Sequence, residues 1–384
     1  MSGVFEIFSV CMKMDRALPS FSSGMLWIKK VGYHLLNQAK VIADDWILIL
    51  DESIGIGQEK LLVILGIRRS QIDFDRPLSI KDMEPIIVKS KKSWTGEDIA
   101  NELKMCKEKV GGVIYATTDG GSTIIKGLRL SNIPRVYDLT HAIAIMLEKI
   151  YKNDPVFQEF TYIMSQMRSK LCCSQYAHII PPNQRSKSRF LNIDILSDWC
   201  VKVLIALEKN NLSHQEREHL QWVYDKKDFV LEMNQIIILI EEISLVLKYK
   251  GLNKKTAKKC TQIMKSCKRT NRQKQFKVMF NEYLKNNTAI ITKRNETLLC
   301  SSDVIESTFG KYKNVLSENP MSGITDLALI IPAFTSTYEE EEIKNAIDNC
   351  NCKMIKEWGK ENLCESLSVK RNKKLNQIKG EDNN

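Results

Sequence analysis

Trp46-Ile47-Leu48-Ile49-Leu50 is an unbroken apolar run with acids on both sides, Asp44-Asp45 before it and Asp51-Glu52 after it. Five residues without a polar member cannot alternate between a wet and a dry face. The segment therefore predicts a strand buried on both sides, inside a sheet covered by helices. A second run, 59–67, follows the turn at Gly55-Ile56-Gly57 and reads with the first as a hairpin. Ile86-Ile87-Val88 adds a third, short strand.

Helical and strand patterns then alternate. Thr95-Gly96-Glu97-Asp98 opens a helix to about residue 109, with Thr95 as N-cap, and Gly111-Gly112 stops it. Val113-Ile114-Tyr115-Ala116 is a strand ending in Thr117-Thr118-Asp119-Gly120-Gly121, and Pro134-Arg135-Val136-Tyr137 is another. A helix over 139–151 follows, with Leu139, Ile143, Met146, Leu147 and Ile150 on one face. This order predicts an α/β fold with a mixed sheet flanked by helices.

After residue 151 the strand signals stop. Helical patterns run over 156–171, 193–209, 214–224, 229–248 and 254–286. We divide the chain into five parts. Residues 1–45 are a helical lead-in, 46–152 an α/β part and 153–299 an all-helical block. Residues 300–360 add further helices, over 302–313, 324–331 and 339–359. Residues 361–384 form a disordered tail, rich in Lys, Asn and Gln.

Composition excludes several classes. With 43% hydrophobic and 27% charged residues in 384, the chain is neither mainly disordered nor fibrous. No apolar run approaches the ~18 residues of a membrane helix, so no membrane partner is expected. Eleven scattered cysteines, without a Cys-x-x-Cys, point to reduced thiols rather than a disulfide scaffold. Cys172-Cys173 with His178 nearby, or Cys350 with Cys352, could ligate zinc, but neither has a matching second pair.

The net charge of +11 is local in origin: residues 249–281 hold eleven Lys/Arg and no acid. Lys254, Lys255, Lys258, Lys259, Lys265, Lys268, Arg269 and Arg272 recur beside an apolar stripe of Cys260, Ile263, Met264 and Cys267. That is an amphipathic pattern with a basic outer face, suited to a DNA backbone or otherwise simply solvated.

Three acids stand out by position. Asp51 ends the first buried strand, Asp119 ends a later one, and Glu306 lies near the start of the helix opened by Ser302-Asp303. Each alone reads as a turn, cap or surface residue. Together, strand-end carboxylates on neighbouring strands and a third from a helix packed over them would bind divalent Mg²⁺, a hard cation that prefers oxygen. Two such ions activate a nucleophile and stabilise a leaving oxygen at a phosphodiester. Asp119 follows Asp51 by 68 residues and Glu306 follows Asp119 by 187.

At these residues the chain resembles the DDE transposases, which have an RNase H-like core. The resemblance is carried by "LDES" at the first strand end, "TTDGGSTIIKG" with the second acid and "PRVYDLTHAIAIMLEK" with an Asp-x-x-His. It continues in "SSDVIESTFGKYKN" with the third acid and "GITDLALIIPAF" after it, and it spans roughly residues 20–335. It implies an RNase H-like mixed sheet flanked by helices, a catalytic core over 46–152 and 300–360 interrupted by a large all-α insertion over 153–299, with 1–45 a candidate remnant of a DNA-binding region. It also implies metal-dependent cleavage and strand transfer at transposon ends, with Asp51, Asp119 and Glu306 holding two Mg²⁺ (or Mn²⁺) ions. His141 would lie near the scissile phosphate or support the acids; read by spacing alone, Asp138 is an N-cap and His141 its buried partner. Lys311 and Lys313 would hold phosphate near the cleft. The partners implied are double-stranded DNA, as transposon ends and target, and a second copy in a homodimer. The place of work would be a prokaryotic nucleoid in the cytoplasm, or a nucleus. Trp199 and Trp222 read as core, with stacking on a flipped base as the other use of such an aromatic. About 45 residues before the first strand are too few for a lead-in helix plus a full helix-turn-helix, so the chain reads as a truncated copy, or end recognition resides elsewhere. Two further readings stay open: a non-catalytic or domesticated DNA-binding remnant, and a structure-specific nuclease of the same fold.

Overall fold

The computed structural model describes residues 20–381 apart from 57–58, 184–189, 191–192, 210, 268–269, 293–295, 316–322 and 366. In chain order the elements are α1 (Phe21–Asn37), β1 (Ala43–Ile56), β2 (Glu59–Arg68), β3 (Glu84–Lys91), α2 (Gly96–Val110), β4 (Gly111–Thr118), α3 (Ser122–Leu130) and β5 (Arg135–Tyr137). Then come α4 (Leu139–Tyr151), α5 (Pro155–Leu171), α6 (Ile193–Glu208), α7 (His214–Asp225), α8 (Lys227–Lys250), α9 (Lys254–Ile263) and α10 (Asn271–Thr288). The last are α11 (Asp303–Val315), α12 (Ile330–Ala333), α13 (Glu340–Asn349), α14 (Cys352–Asn362) and α15 (Leu367–Glu381).

The chain forms two compact units. The first comprises residues up to Asp73, Pro77–Arg135 and the part from Ser302 onward; the second is Phe74–Arg76 with Val136–Ser301. In the first unit the strand order is β3-β2-β1-β4-β5. β1 pairs with β2 and β2 with β3 antiparallel, whereas β1 and β4 run parallel. This is the mixed sheet flanked by helices that the sequence predicts.

Residues 46–50 are completely buried, as a two-sided strand requires. One face of β1, with Trp46, Leu48 and Leu50, joins a core with Ala116 of β4 and with Ile99, Leu103, Ile124 and Leu128 of α2 and α3. α2 starts as its sequence predicts, with a capping box between Thr95 and Asp98. Alternation sends Ile47, Ile49 and Asp51 to the opposite face, and α11 packs against β1.

The expected lead-in helix is part of this unit's helical layer. Val31 and Leu35 of α1 pack with Ala333 and Ala346 of α12 and α13. Gly32 permits close approach there, since a Cβ at this position would lie 1.8 Å from the Leu329 carbonyl oxygen. Residues 1–19 of that lead-in lie outside the described residues. The expected helix over 324–331 is a 3₁₀ turn, Asp326–Leu329, followed by α12, and 339–359 divides into α13 and α14, with Asn351 capping the second. The tail differs most: where the sequence predicts disorder from 361, α14 ends at Asn362 and α15 follows. Leu, Lys, Arg and Gln are strong helix formers, and their propensity does not require the apolar stripe on which the sequence reading relied.

The second unit is helical. Its aromatic core joins Tyr151 and Phe157, with centroids 5.2 Å apart, and Phe160 with Trp222, 5.0 Å apart. Trp199 stacks on Trp222 at 6.1 Å. Among the described residues its only extended pairing outside β5 is the bridge between Leu252 and Leu298. The unit begins at Val136 and so takes in α4, which the sequence assigned to the catalytic core. The long helix expected over 254–286 is broken: α9 ends in a 3₁₀ turn at Met264–Ser266 and α10 restarts at Asn271 behind the Thr270 cap.

Candidate active site

Asp51 lies within β1, buried at 8% exposure. Directly after it the β1–β2 register slips, with Asp51 opposite Val63 but Ile54 opposite Leu61. Such a bulge bends the strand and re-aims its side chains. Across the parallel β1–β4 pair, Leu48 faces Ala116 and Ile49 faces Thr117. The ladder ends there, two residues before Asp51 and two before Asp119, and alternation puts Asp51 on the face opposite α2 and α3. Asp119 follows the last residue of β4, and its Oδ1 accepts the Gly121 N–H at 3.0 Å, an Asx turn that fixes the carboxylate at the strand end.

Glu306 belongs to the first turn of α11, the helix packed against β1. An acid there is favoured by the helix dipole. Val304, Ile305, Phe309 and Tyr312 are buried and set the inward side of the helix. The segment after α11 is anchored to the hairpin by Glu59, itself buried, whose Oε2 accepts the Ile324 N–H at 3.0 Å. Asp51 is thus not at the strand end that the sequence predicts, since β1 continues to Ile56; the three oxygen-donor side chains come from within β1, from the residue after β4 and from one helix of the same unit. Carboxylates are the donor type that Mg²⁺ and Mn²⁺ take. Lys311 and Lys313 are exposed on α11, with Lys311 Nζ 5.9 Å from the centre of the Phe334 ring.

Glu52, next to the first acid, faces the other way, as alternation requires. Its Oε1 accepts from Thr123 Oγ1 at 2.5 Å and lies 3.8 Å from Lys60 Nζ. Nothing in the sequence announces this bond, because the partners are 71 residues apart.

In the second unit, Asp138 is fully buried and caps α4. Its Oδ1 accepts the His141 N–H at 2.8 Å and lies 3.2 Å from His141 Nδ1. The capping expected from spacing is therefore present, but His141 is not buried: its side chain is 30% exposed. α10 holds the preceding strand, with the Tyr137 N–H donating to Asn287 Oδ1 at 2.8 Å and Tyr283 Oη donating to the Tyr137 carbonyl at 3.0 Å.

Of the basic series, Lys254, Lys255, Lys258, Lys259 and Lys265 are exposed, while Cys260, Met264 and Cys267 turn inward. Lys268 and Arg269 lie outside the described residues. Arg272 departs from the expected DNA-facing role. Its guanidinium donates to both carboxylate oxygens of Asp154 at 3.0 Å and also to Glu232. It lies 5.1 Å from the centre of the Phe229 ring. Partners 118 and 40 residues away are invisible in a local charge run. Zinc at Cys172-Cys173 gains no support from His178, which bonds Glu216 at 2.6 Å. The ten described cysteines are all free thiols. Among the described residues no helix is long and apolar enough to cross a membrane.

No protein-family model matches the chain, and no curated protein matches it. Among solved structures, the Drosophila P element transposase strand transfer complex aligns over 88% of this chain and 89% of its own, at 11% identity and a TM-score of 0.42. That likeness is too slight to assign a function.

Proposed function

We propose that this protein is a metal-dependent DNA transposase of the DDE type, cutting at transposon ends and joining the freed 3′ ends to target DNA. The observation that carries the reading is the parallel pairing of β1 with β4, which stops two residues before Asp51 and Asp119, together with the contact of the Glu306 helix with β1. We assign Asp51, Asp119 and Glu306 to hold two Mg²⁺ or Mn²⁺ ions, which when bound would activate the attacking oxygen and stabilise the leaving one. The protein's own contribution is placement. β1 and the residue after β4 supply two carboxylates, and α11 supplies the third. Asp138 holds the imidazole of His141 through Nδ1, and the resemblance gives His141 a place near the scissile phosphate. Exposed Lys254, Lys255, Lys258, Lys259 and Lys265 supply sequence-independent attraction to duplex DNA, and Lys311 and Lys313 would meet phosphates closer to the acids. The working form is a homodimer on DNA.

The test uses the purified chain with Mg²⁺ or Mn²⁺ and duplexes taken from the DNA flanking its gene, including pre-cleaved ends. Joined product supports the transposase. Cutting without joining would replace it by a nuclease, and binding without either by a non-catalytic remnant.

A further inference from the structure

The β1–β4 ladder reaches only Ile49 and Thr117, and β1 bulges against β2 directly after Asp51. The two aspartates therefore lie just beyond the backbone pairing that would fix their separation. A side-chain bond spans that gap. Thr123 Oγ1 donates to Glu52 Oε1, joining the residue after Asp51 to the first turn of α3. α3 in turn begins at the Gly121 N-cap, whose N–H donates to Asp119 Oδ1. The path from one acid to the other is thus Asp51-Glu52, across to Thr123-Ser122-Gly121, and back to the Asp119 carboxylate.

The chemistry of Glu52 agrees with this path. Its side chain is 13% exposed, and its Oε2 is buried without a hydrogen-bond partner. Burying a carboxylate in this way costs stability. Gly121 gives α3 no side-chain cap, and the Glu52 charge at its first turn offsets part of that lack.

We propose that Glu52 and Thr123 are positioning residues, a tie that sets the spacing of Asp51 and Asp119 and hence the affinity of the site for its divalent metal. This rests on the metal reading given above. The experiment is Mg²⁺ and Mn²⁺ titration of the full chain by calorimetry, with thermal unfolding of each variant measured alongside. Thr123→Val keeps the shape and removes the donor; it should weaken metal binding at least about tenfold, as loss of an outer-shell partner does, and the metal-free protein should still fold, at a lower unfolding temperature because the buried Glu52 carboxylate loses its donor. Thr123→Ser and Glu52→Gln, which keep donor and acceptor, should restore binding to within about threefold of wild type. Glu52→Met removes the acceptor and carries the same expectation as Thr123→Val should that variant fail to fold. Wild-type affinity in both Thr123→Val and Glu52→Met, with binding lost in Asp51→Asn, overturns the tie and leaves the metal site standing. Equal binding by wild type and Asp51→Asn overturns the metal reading, and the tie with it.

Discussion

Ile49 and Thr117 stand opposite each other in the parallel pair of β1 and β4, each two residues short of an aspartate. Nothing local in the chain forces Asp51 and Asp119 together; that register leads toward both, and the proposed Glu52–Thr123 tie sets the rest. Asp51→Asn, Asp119→Asn and Glu306→Gln should each lower metal-dependent cleavage and joining on the order of a thousand-fold or more. Circular dichroism should report an unchanged fold. Full activity in any one of the three would remove that residue from the site.

The basic helix and Arg272 should separate cleanly. Replacing Lys254, Lys255, Lys258 and Lys259 with glutamine should weaken binding to all duplexes alike and reduce the salt slope by roughly 0.9 for each phosphate no longer neutralised, with stability unchanged. Arg272→Gln should do the reverse. It leaves Asp154 and Glu232 without their shared cation and should cost about 3 kcal/mol of stability, with the salt slope of DNA binding preserved. Denaturant unfolding and binding measured at several salt concentrations distinguish the two outcomes.

Glu216 gives a pH signature. The hydrogen bond from His178, then those from the Ser213 side chain and backbone, hold its carboxyl down to about 2. An unfolded glutamate titrates near 4.3, so the unfolded chain takes up the proton first as pH falls. The stabilisation is present above about pH 4.3 and is lost as pH falls toward about 2. Glu216→Gln should flatten the acid limb of a stability–pH curve relative to wild type. Curves that superimpose below pH 5 would sink the assignment.

Gly111 has φ +93°, and a Cβ there would lie 2.5 Å from the Ala43 carbonyl oxygen. It terminates α2 and enters β4 opposite Ala43 of β1. Gly111→Ala should destabilise the protein by roughly 2 kcal/mol or more, read as a fall in unfolding temperature. Gly24→Ala, in open space on α1, is the control and should be neutral or mildly stabilising.

Local physics made the sheet legible. A run such as residues 46–50 can only be an inner strand, and the Thr95–Asp98 capping box marks a helix start on its own. What sequence could not provide were partners. The amphipathic face of α4 announces that it packs, but not that it belongs with the helical unit. The basic run concealed Arg272 because its carboxylates are distant in the chain. Lys and Gln in the tail looked like disorder because composition reports the lack of a core, not the intrinsic preference for α15. Asp51 and Asp119 can be marked from the apolar runs before them, but the run at 46–50 does not tell that β1 continues past Asp51 to Ile56. The Glu52–Thr123 bond cannot, since only the folded sheet brings those residues within reach.

The helical unit divides the sequence of the first unit, so Glu306 leaves the ribosome 187 residues after Asp119. At about 5–20 residues per second, both aspartates have been made roughly ten to forty seconds before the third carboxylate arrives. On the proposed reading, the order of synthesis keeps the site short of one acid until the whole helical unit has been made.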